Sequence, residues 1–188
     1  GLLQYDGRLK KLDDGSFVFQ GQGTLYNQTG QSVYQGLWED GTRSGNGTAW
    51  LEDGSIYSGN WVDDYPDGKG TYLFPDGTEY EGGFIRGKKH GQGTFKEADG
   101  FVSYDGEWKD GQRFGRGRVN KRDSSSYKGD WLDGKPHGNG MFTYPDGRVY
   151  TGTMKQGLRQ GLGELRRSDG SIAYEGEWDR NLRHGKGK

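Results

Sequence analysis

Residues 127–140 read YKGDWLDGKPHGNG, and the same arrangement of tyrosine, glycine and tryptophan recurs along the chain. The tyrosines that begin it are 23 or 24 residues apart, and so are the Gly-x-Gly motifs that end it. The tyrosines are Tyr34, Tyr57, Tyr80, Tyr104, Tyr127, Tyr150 and Tyr174, and the motifs begin at Gly21, Gly45, Gly68, Gly91, Gly115, Gly138, Gly161 and Gly185. A fixed period of this length indicates a repeat architecture.

Each period contains two candidate strands. Tyr127, Gly129 and Trp131 alternate with Lys128 and Asp130, which predicts a strand with aromatic residues on one face and charges on the other. The Gly-x-Gly segment alternates in the same way, with an apolar residue two positions after its second glycine. Those residues are Leu25, Ala49, Tyr72, Phe95, Val119, Phe142 and Leu165.

Turn signals separate the candidate strands. Asp-Gly dipeptides at Asp53, Asp76, Asp99, Asp146 and Asp169 follow the Gly-x-Gly segments and predict hairpins. The segment 122–126 replaces one of these dipeptides, and a connection of about six residues is expected after each tryptophan. No stretch has helical periodicity. The predicted fold class is all-β: an elongated, single-layer, twisted array of tandem antiparallel β-hairpins.

The composition is compatible with such an array. Hydrophobic residues make up only 28% of the 188 residues, but there are 38 glycines, 6 tryptophans and 12 tyrosines. Aromatic rings laid over bare glycine backbone bury apolar area without a second layer. The absence of cysteine excludes disulfides. No apolar run approaches the roughly 20 residues of a membrane span, and residues 1–5 lack signal-peptide features, so a cytoplasmic protein is expected.

The repeat resembles the MORN (membrane occupation and recognition nexus) repeat, and residues 127–140 match it at every consensus position. The first repeat has about five extra residues between Leu9 and Gly21, and Asp64 and Asn181 replace a loop glycine. We expect one array over residues 1–188 with eight repeats. Their predicted bounds are 1–33 (degenerate), 34–56, 57–79, 80–103, 104–126, 127–149, 150–173 and 174–188 (partial).

The resemblance implies a non-catalytic scaffold. Members of the family occur in cilia, in cytoskeletal structures and at membrane junctions, and self-association is common among them. We therefore expect protein–protein interaction within a larger intracellular assembly, cytoskeletal or ciliary. Two alternatives stay open: a peripheral membrane adaptor that binds anionic phospholipids, and a targeting module of a longer enzyme. Open sheet edges pair with other chains, so a homodimer or further repeats are also expected.

The aromatic face supplies the main site hypothesis. A curved sheet lined by aromatic rings would leave a groove for an extended or helical peptide. The alternative is that these rings form the only core and are used up by packing. The predicted groove residues are Trp38, Trp61, Phe84, Trp108, Trp131 and Trp178.

Charge supplies a second hypothesis. Residues 1–94 hold 8 Lys/Arg against 13 Asp/Glu, a net charge of −5, whereas residues 95–188 hold 18 against 14, a net charge of +4. A patch for an anionic membrane or an acidic partner is predicted in the basic half. The alternative is ordinary variation of solvated charges, and nucleic-acid binding is not expected because the net charge is near zero. The patch residues are Arg113, Arg116, Arg118, Lys121 and Arg122.

Other candidate chemistry follows from the repeat itself. His90, His137 and His184 are 47 residues apart, which is two repeats or roughly 19 Å across four strands, too far to share a metal ion. Residues 82–88 and 129–135 read Gly-x-x-x-x-Gly-Lys but lack the Ser or Thr that completes a phosphate-binding loop. We predict no metal, no cofactor and no catalytic residue, and therefore not an enzyme.

Overall fold

The computed structural model describes residues 4–188, and every regular element among them is a β-strand. The first three residues of the predicted first repeat lie outside the described residues. Residues 4–188 contain no helix with the length and apolarity that a bilayer crossing requires. The chain divides into two compact units, the first ending at Phe101 and the second covering Val102–Lys188.

The first unit contains eight strands, and consecutive strands pair antiparallel. They are β1 (Gln4–Lys11), β2 (Phe17–Tyr26), β3 (Ser32–Glu39), β4 (Thr42–Trp50), β5 (Ile56–Val62), β6 (Tyr65–Leu73), β7 (Glu79–Ile85) and β8 (Lys88–Lys96).

The second unit repeats this order with eight further strands, again paired antiparallel with their sequence neighbours. They are β9 (Val102–Lys109), β10 (Gln112–Asn120), β11 (Ser126–Leu132), β12 (Lys135–Thr143), β13 (Val149–Lys155), β14 (Leu158–Arg166), β15 (Ile172–Asp179) and β16 (Leu182–Gly187). The predicted fold class, an all-β single-layer array of antiparallel hairpins, is confirmed.

The connection after each tryptophan is shorter than predicted. Strand β3 ends at Glu39 and β4 begins at Thr42, so Asp40 and Gly41 alone make the turn, with φ values of 47° and 86°. Two consecutive positive φ angles are typical of the hairpin turn that matches the twist of paired strands. The prediction of about six connecting residues is wrong, because the strands extend to within two residues of each other.

The other turn keeps its shape even where the Asp-Gly dipeptide is missing. At Asp146 the backbone closes with Gly147 N–H donating to Tyr144 O at 3.0 Å. At the replaced turn Ser124 N–H donates to Lys121 O at 3.1 Å, and Ser124 has a φ of 68°. A serine therefore adopts a left-handed conformation that glycine accepts at lower cost.

The two glycines of each Gly-x-Gly motif serve different purposes. Gly138 has a φ of 60° and lies at a β-bulge, where the register moves from Gly129–Gly140 to Asp130–His137. Gly140 instead lies under the ring of Tyr127, and a Cβ there would collide with the tyrosine hydroxyl. The predicted close approach of an aromatic ring to glycine backbone is thus present, and the ring is the tyrosine.

Candidate functional site

The aromatic face of the sheet is a buried layer. Trp38, Trp61, Phe84, Trp108, Trp131 and Trp178, the residues of the predicted groove, are only 3–8% exposed. Trp131 packs edge-on between two tyrosines, with ring centroids 5.5 Å from Tyr104 and 5.2 Å from Tyr127. Its Nε1–H donates to Gly117 O at 3.1 Å. The rings are therefore core residues, and their direct contact with a partner stays a prediction.

The tyrosines of this layer fix the bulges. Tyr127 Oη donates to Asp130 O at 2.9 Å, and Tyr34 Oη donates to Leu37 O at 3.1 Å. Burial raises the pKa of Tyr34 to about 12, and it raises the pKa of Tyr127 as well. These hydroxyls stay protonated at neutral pH and act as structural hydrogen-bond donors.

In each unit an arginine, lysine or proline lies opposite the last buried apolar residue of the preceding strand. Each follows the two-residue turn, and the register places Arg113 opposite Trp108 and Pro66 opposite Trp61. The guanidinium of Arg113 lies 4.6 Å from the ring centroid of Trp131. These residues are Arg43, Pro66, Lys89, Arg113, Pro136, Arg159 and Arg183.

The opposite face carries a concave surface in the second unit, which we call the polar-face pocket. Its volume is about 940 Å³, within the range of small-ligand and peptide sites. The backbone of paired glycines forms its floor, and rows of exposed side chains stand on both sides. It is lined by Asp105, Arg116, Gly117, Arg118, Lys128, Gly129, Asp130, Asn139, Gly140, Met141, Thr151 and Gly152.

The walls of this pocket combine cations with an exposed apolar side chain. The register places Lys128 opposite both Arg118 and Met141. Met141 is 41% exposed. Arg116 lies 3.9 Å from Asp130 with 90% of its side chain exposed, which makes a weak ion pair. The pocket therefore offers two adjacent cations, Arg118 and Lys128, with Asp105 on the far side of Arg118, and an apolar contact.

Two bulges beside the pocket are closed by carboxylates. Asp130 Oδ2 accepts the Asn139 N–H at 3.0 Å, and Glu107 Oε1 accepts the Arg116 N–H at 2.8 Å. Both carboxylates accept backbone hydrogen bonds, so they are less available to bind a ligand or transfer a proton. Among residues 4–188 no cluster of three or more His, Cys, Asp or Glu is arranged to hold a metal ion.

The five cations of the predicted anionic-partner patch are not brought together. Arg113 lies on the aromatic face, over Trp131. Arg116 and Arg118 line the polar-face pocket on the other side of the sheet. Lys121 and Arg122 lie in the turn between β10 and β11. Alternation along one strand separates them, because neighbouring positions point to opposite faces.

The two Gly-x-x-x-x-Gly-Lys segments and the histidines His137 and His184 lie in the hairpins of the repeat. Residues 82–88 run through β7, a two-residue turn and the start of β8, and residues 129–135 do the same in β11 and β12. His137 pairs across the bulge with Asp130, and His184 does so with Glu177. Residues 82–88 and 129–135 thus belong to hairpins, and the two histidines lie on strands β12 and β16.

Sequence reasoning missed the polar-face pocket. The sequence predicts charges on this face, among them Lys128 and Asp130, and charged residues alone do not indicate a concave surface. The available signal was positional: the residues on either side of each paired glycine stand in two rows across the strands. The concave shape depends on how the backbone bends, and a bulge, which bends a strand, is not evident from residue types.

Comparison with known proteins identifies the repeat. The sequence pattern described as the MORN repeat matches residues 34–56, 57–79, 80–101, 104–119, 127–147, 150–172 and 174–188. No curated protein matches the chain.

Two solved structures are distantly similar. One is the wild-type TCP10 domain of Danio rerio CPAP, which is 13% identical, with 91% of this chain and 100% of that chain covered and a TM-score of 0.29. The other is the same domain in complex with a peptide of Danio rerio STIL, at 16% identity, 93% and 100% coverage and a TM-score of 0.20. At such scores the likeness carries no argument about this chain.

Proposed function

This chain belongs to the MORN repeat family, and from that premise we propose that it is a non-catalytic scaffold that binds protein partners. The cytoskeletal or ciliary setting of the assembly rests on the family alone. The binding role rests on one observation, the polar-face pocket of about 940 Å³ in the second unit. Its open floor and flanking side-chain rows suit an extended segment of a partner protein.

The chemistry of the walls suggests which segment binds. Arg118 and Lys128 favour acidic side chains, and the exposed Met141 favours an apolar one. An extended peptide that alternates acidic and apolar residues therefore fits the pocket best.

A peptide-display selection against the intact chain tests this proposal. Enriched peptides are then measured against the wild type, Arg118→Glu and Lys128→Glu, with Thr48→Glu as the control. Thr48 follows its Gly-x-Gly motif at the position that Met141 has in the second unit. We expect each reversal in the second unit to weaken binding about tenfold, which is about 1.4 kcal/mol, and the control to have little effect. Equal losses in all three variants would contradict the proposal.

Membrane binding is the second candidate, because Arg116, Arg118 and Lys128 give the walls of the pocket three cations. Flotation with vesicles that contain phosphatidylserine or phosphoinositides separates the two. Salt-sensitive flotation that is lost in the triple variant Arg116→Glu, Arg118→Glu, Lys128→Glu would favour lipid. Absence of flotation together with retained peptide binding supports the scaffold.

A further inference from the structure

Three arginines occupy the same position over a tryptophan of the following repeat. The guanidinium carbon of Arg43 lies 4.3 Å from the ring centroid of Trp61, and that of Arg159 lies 4.1 Å from the centroid of Trp178. Arg113 lies 4.6 Å from the centroid of Trp131. The position therefore holds a half-buried cation against an aromatic face, where stacking stabilises the charge in part.

Two of these arginines also have an oxygen acceptor from the next two-residue turn. Asp64 Oδ1 accepts both the backbone N–H and the Nε–H of Arg43 at 2.9 Å, and Asp64 O accepts Nη2–H at 2.9 Å. Asn181 takes the same place at Arg159, with Oδ1 at 2.9 Å from the backbone N and its main-chain O at 2.7 Å from Nη2. In both cases the turn residue accepts hydrogen bonds from the guanidinium.

Arg113 lacks this acceptor, because the corresponding turn residue is Gly134. The turn itself is in place: Gly134 N–H donates to Arg113 O at 3.0 Å, as Asp64 N–H donates to Arg43 O at 3.2 Å. Within residues 4–188, however, the Arg113 guanidinium has no hydrogen-bond or ion-pair partner. It lies over the rings of Tyr104 and Trp131.

The space that the missing side chain would occupy is open. A Cβ added at Gly134 would have no heavy atom within 4 Å. Burial lowers the pKa of Arg113, since desolvation disfavours its charged form. An arginine stays protonated in proteins, so a half-buried guanidinium without a counter-ion is favourably placed to bind an anion.

We propose that Arg113 binds a carboxylate from an acidic side chain of a partner protein, in the place that Asp64 occupies at Arg43. A carboxylate is favoured because Asp64 shows that one carboxylate oxygen reaches both the backbone N–H and Nε–H at this position. The site lies on the face opposite the polar-face pocket, so it goes beyond the proposed function and can be tested separately.

The chain offers a matched pair of variants. Gly134→Asp places an internal carboxylate at the site, and the left-handed φ of 68° at Asp64 shows that aspartate accepts this conformation. Asp64→Gly does the reverse in the first unit and leaves Arg43 without its carboxylate. One variant should therefore close the site at Arg113, and the other should open a second site at Arg43.

The probe is a blocked oligoglutamate peptide, titrated into the full ¹⁵N-labelled chain while the arginine Nε–Hε signals are followed by NMR. In the wild type the Arg113 signal should respond, in addition to any response at the arginines of the polar-face pocket, and Arg113→Lys identifies it. Gly134→Asp should weaken the Arg113 response about tenfold or more, as expected for loss of a charge-assisted hydrogen bond. Asp64→Gly should add a response at the Arg43 signal.

The outcomes separate the alternatives. An Arg113 signal that does not respond in the wild type or responds equally in Gly134→Asp, or an Arg43 signal that stays unresponsive in Asp64→Gly, overturns the proposal. A response to inorganic phosphate or to phosphatidylserine vesicles at lower anion concentration than to oligoglutamate overturns the assignment of a protein carboxylate. Because Asp64→Gly creates a site, the test does not depend on Gly134→Asp folding well.

Discussion

The polar faces of the two units differ although their backbones follow the same plan. In the first unit a concave surface on β2–β5 has a volume of about 510 Å³ and is flanked by uncharged side chains. These are Gln22, Gln35, Asn46, Thr48 and Ser58. In the second unit the polar-face pocket has a volume of about 940 Å³ and its walls carry Arg116, Arg118 and Lys128.

The difference shows how a repeat separates shape from specificity. Paired glycines and a buried tyrosine recur in both units, for example Gly36–Gly47 under Tyr34 and Gly129–Gly140 under Tyr127. The residues beside the glycines differ between the units, because they lie outside the aromatic core. The glycines and tyrosines that recur in every repeat therefore determine the shape of the surface. The residues beside the glycines determine what the surface binds.

The largest expected effect tests the shared part of this comparison. Gly47→Ala and Gly140→Ala each direct a Cβ into the hydroxyl of a buried tyrosine, Tyr34 and Tyr127 respectively. Each should lower the free energy of unfolding by about 3 kcal/mol, the upper range for overpacking in a core. Urea denaturation of the intact chain measures this loss.

Gly134→Ala is the control for these variants. Its Cβ has open space, so only the positive φ of 75° opposes it, at a cost of about 1 kcal/mol. If Gly47→Ala left the free energy of unfolding unchanged, the two units would not share the same close contact between glycine and tyrosine.

A smaller effect tests the part that differs. Exchanging the wall residues, with Met141→Thr and Lys128→Ser in the second unit, makes its walls resemble those of the first. We expect peptides selected on the wild type to bind about tenfold more weakly, because an apolar contact and a cation are lost. Isothermal titration calorimetry checks the change, and an unaltered affinity would show that these walls do not select the partner.

Ser124 breaks the symmetry of the turns, and correcting it should stabilise the second unit. Its φ of 68° is left-handed, whereas the first unit has glycine at the corresponding turn positions Gly54 and Gly77. Ser124→Gly should raise the free energy of unfolding by about 1 kcal/mol, because glycine has no Cβ to strain in this region. Thermal unfolding measures it, and a lower midpoint would contradict the account.

The smallest expected effect is a loss of stability at low pH. Two hydrogen bonds hold the pKa of the Asp123 carboxyl below its ordinary value. The larger contribution comes from the Ser125 hydroxyl and the smaller from the Ser125 N–H. In the first unit, Thr78 does the same for Asp76. A lowered folded-state pKa means that the stabilisation is present above the unfolded value and is lost as the pH falls through the folded one.

Both units should therefore weaken only below about pH 4. A ¹³C carboxyl titration by NMR would follow Asp76 and Asp123 directly. If the two carboxyls titrate at or above their ordinary values, the hydrogen bonds of these turns contribute nothing to stability.

Much of the fold follows from the sequence because each repeat carries the same local information. The alternation of Tyr127, Gly129 and Trp131 predicted the strand and its buried face, and Asp146-Gly147 predicted the turn. The short turn at Asp40-Gly41 was missed because aspartate in a left-handed conformation is not evident from its residue type.

The site was predictable only in part. The predicted groove rings, such as Trp131, are buried, because a one-layer sheet needs them as its core. Clustering in the sequence suggested that Arg113, Arg116 and Arg118 act together, but strand alternation places them on two faces. Contacts between repeats, such as Arg43 with Asp64, depend on which turn residue meets which strand, and that pairing becomes visible only in three dimensions.

Site-specific photo-crosslinking in cells tests the scaffold most directly. A benzoylphenylalanine replaces Met141 in the polar-face pocket, or Thr48 at the matched position of the first unit. We predict a protein adduct from position 141 that is absent from position 48 and is abolished by Arg118→Glu. Equal adducts from both positions, or none from position 141, would contradict the claim that the second unit binds a protein partner through this pocket.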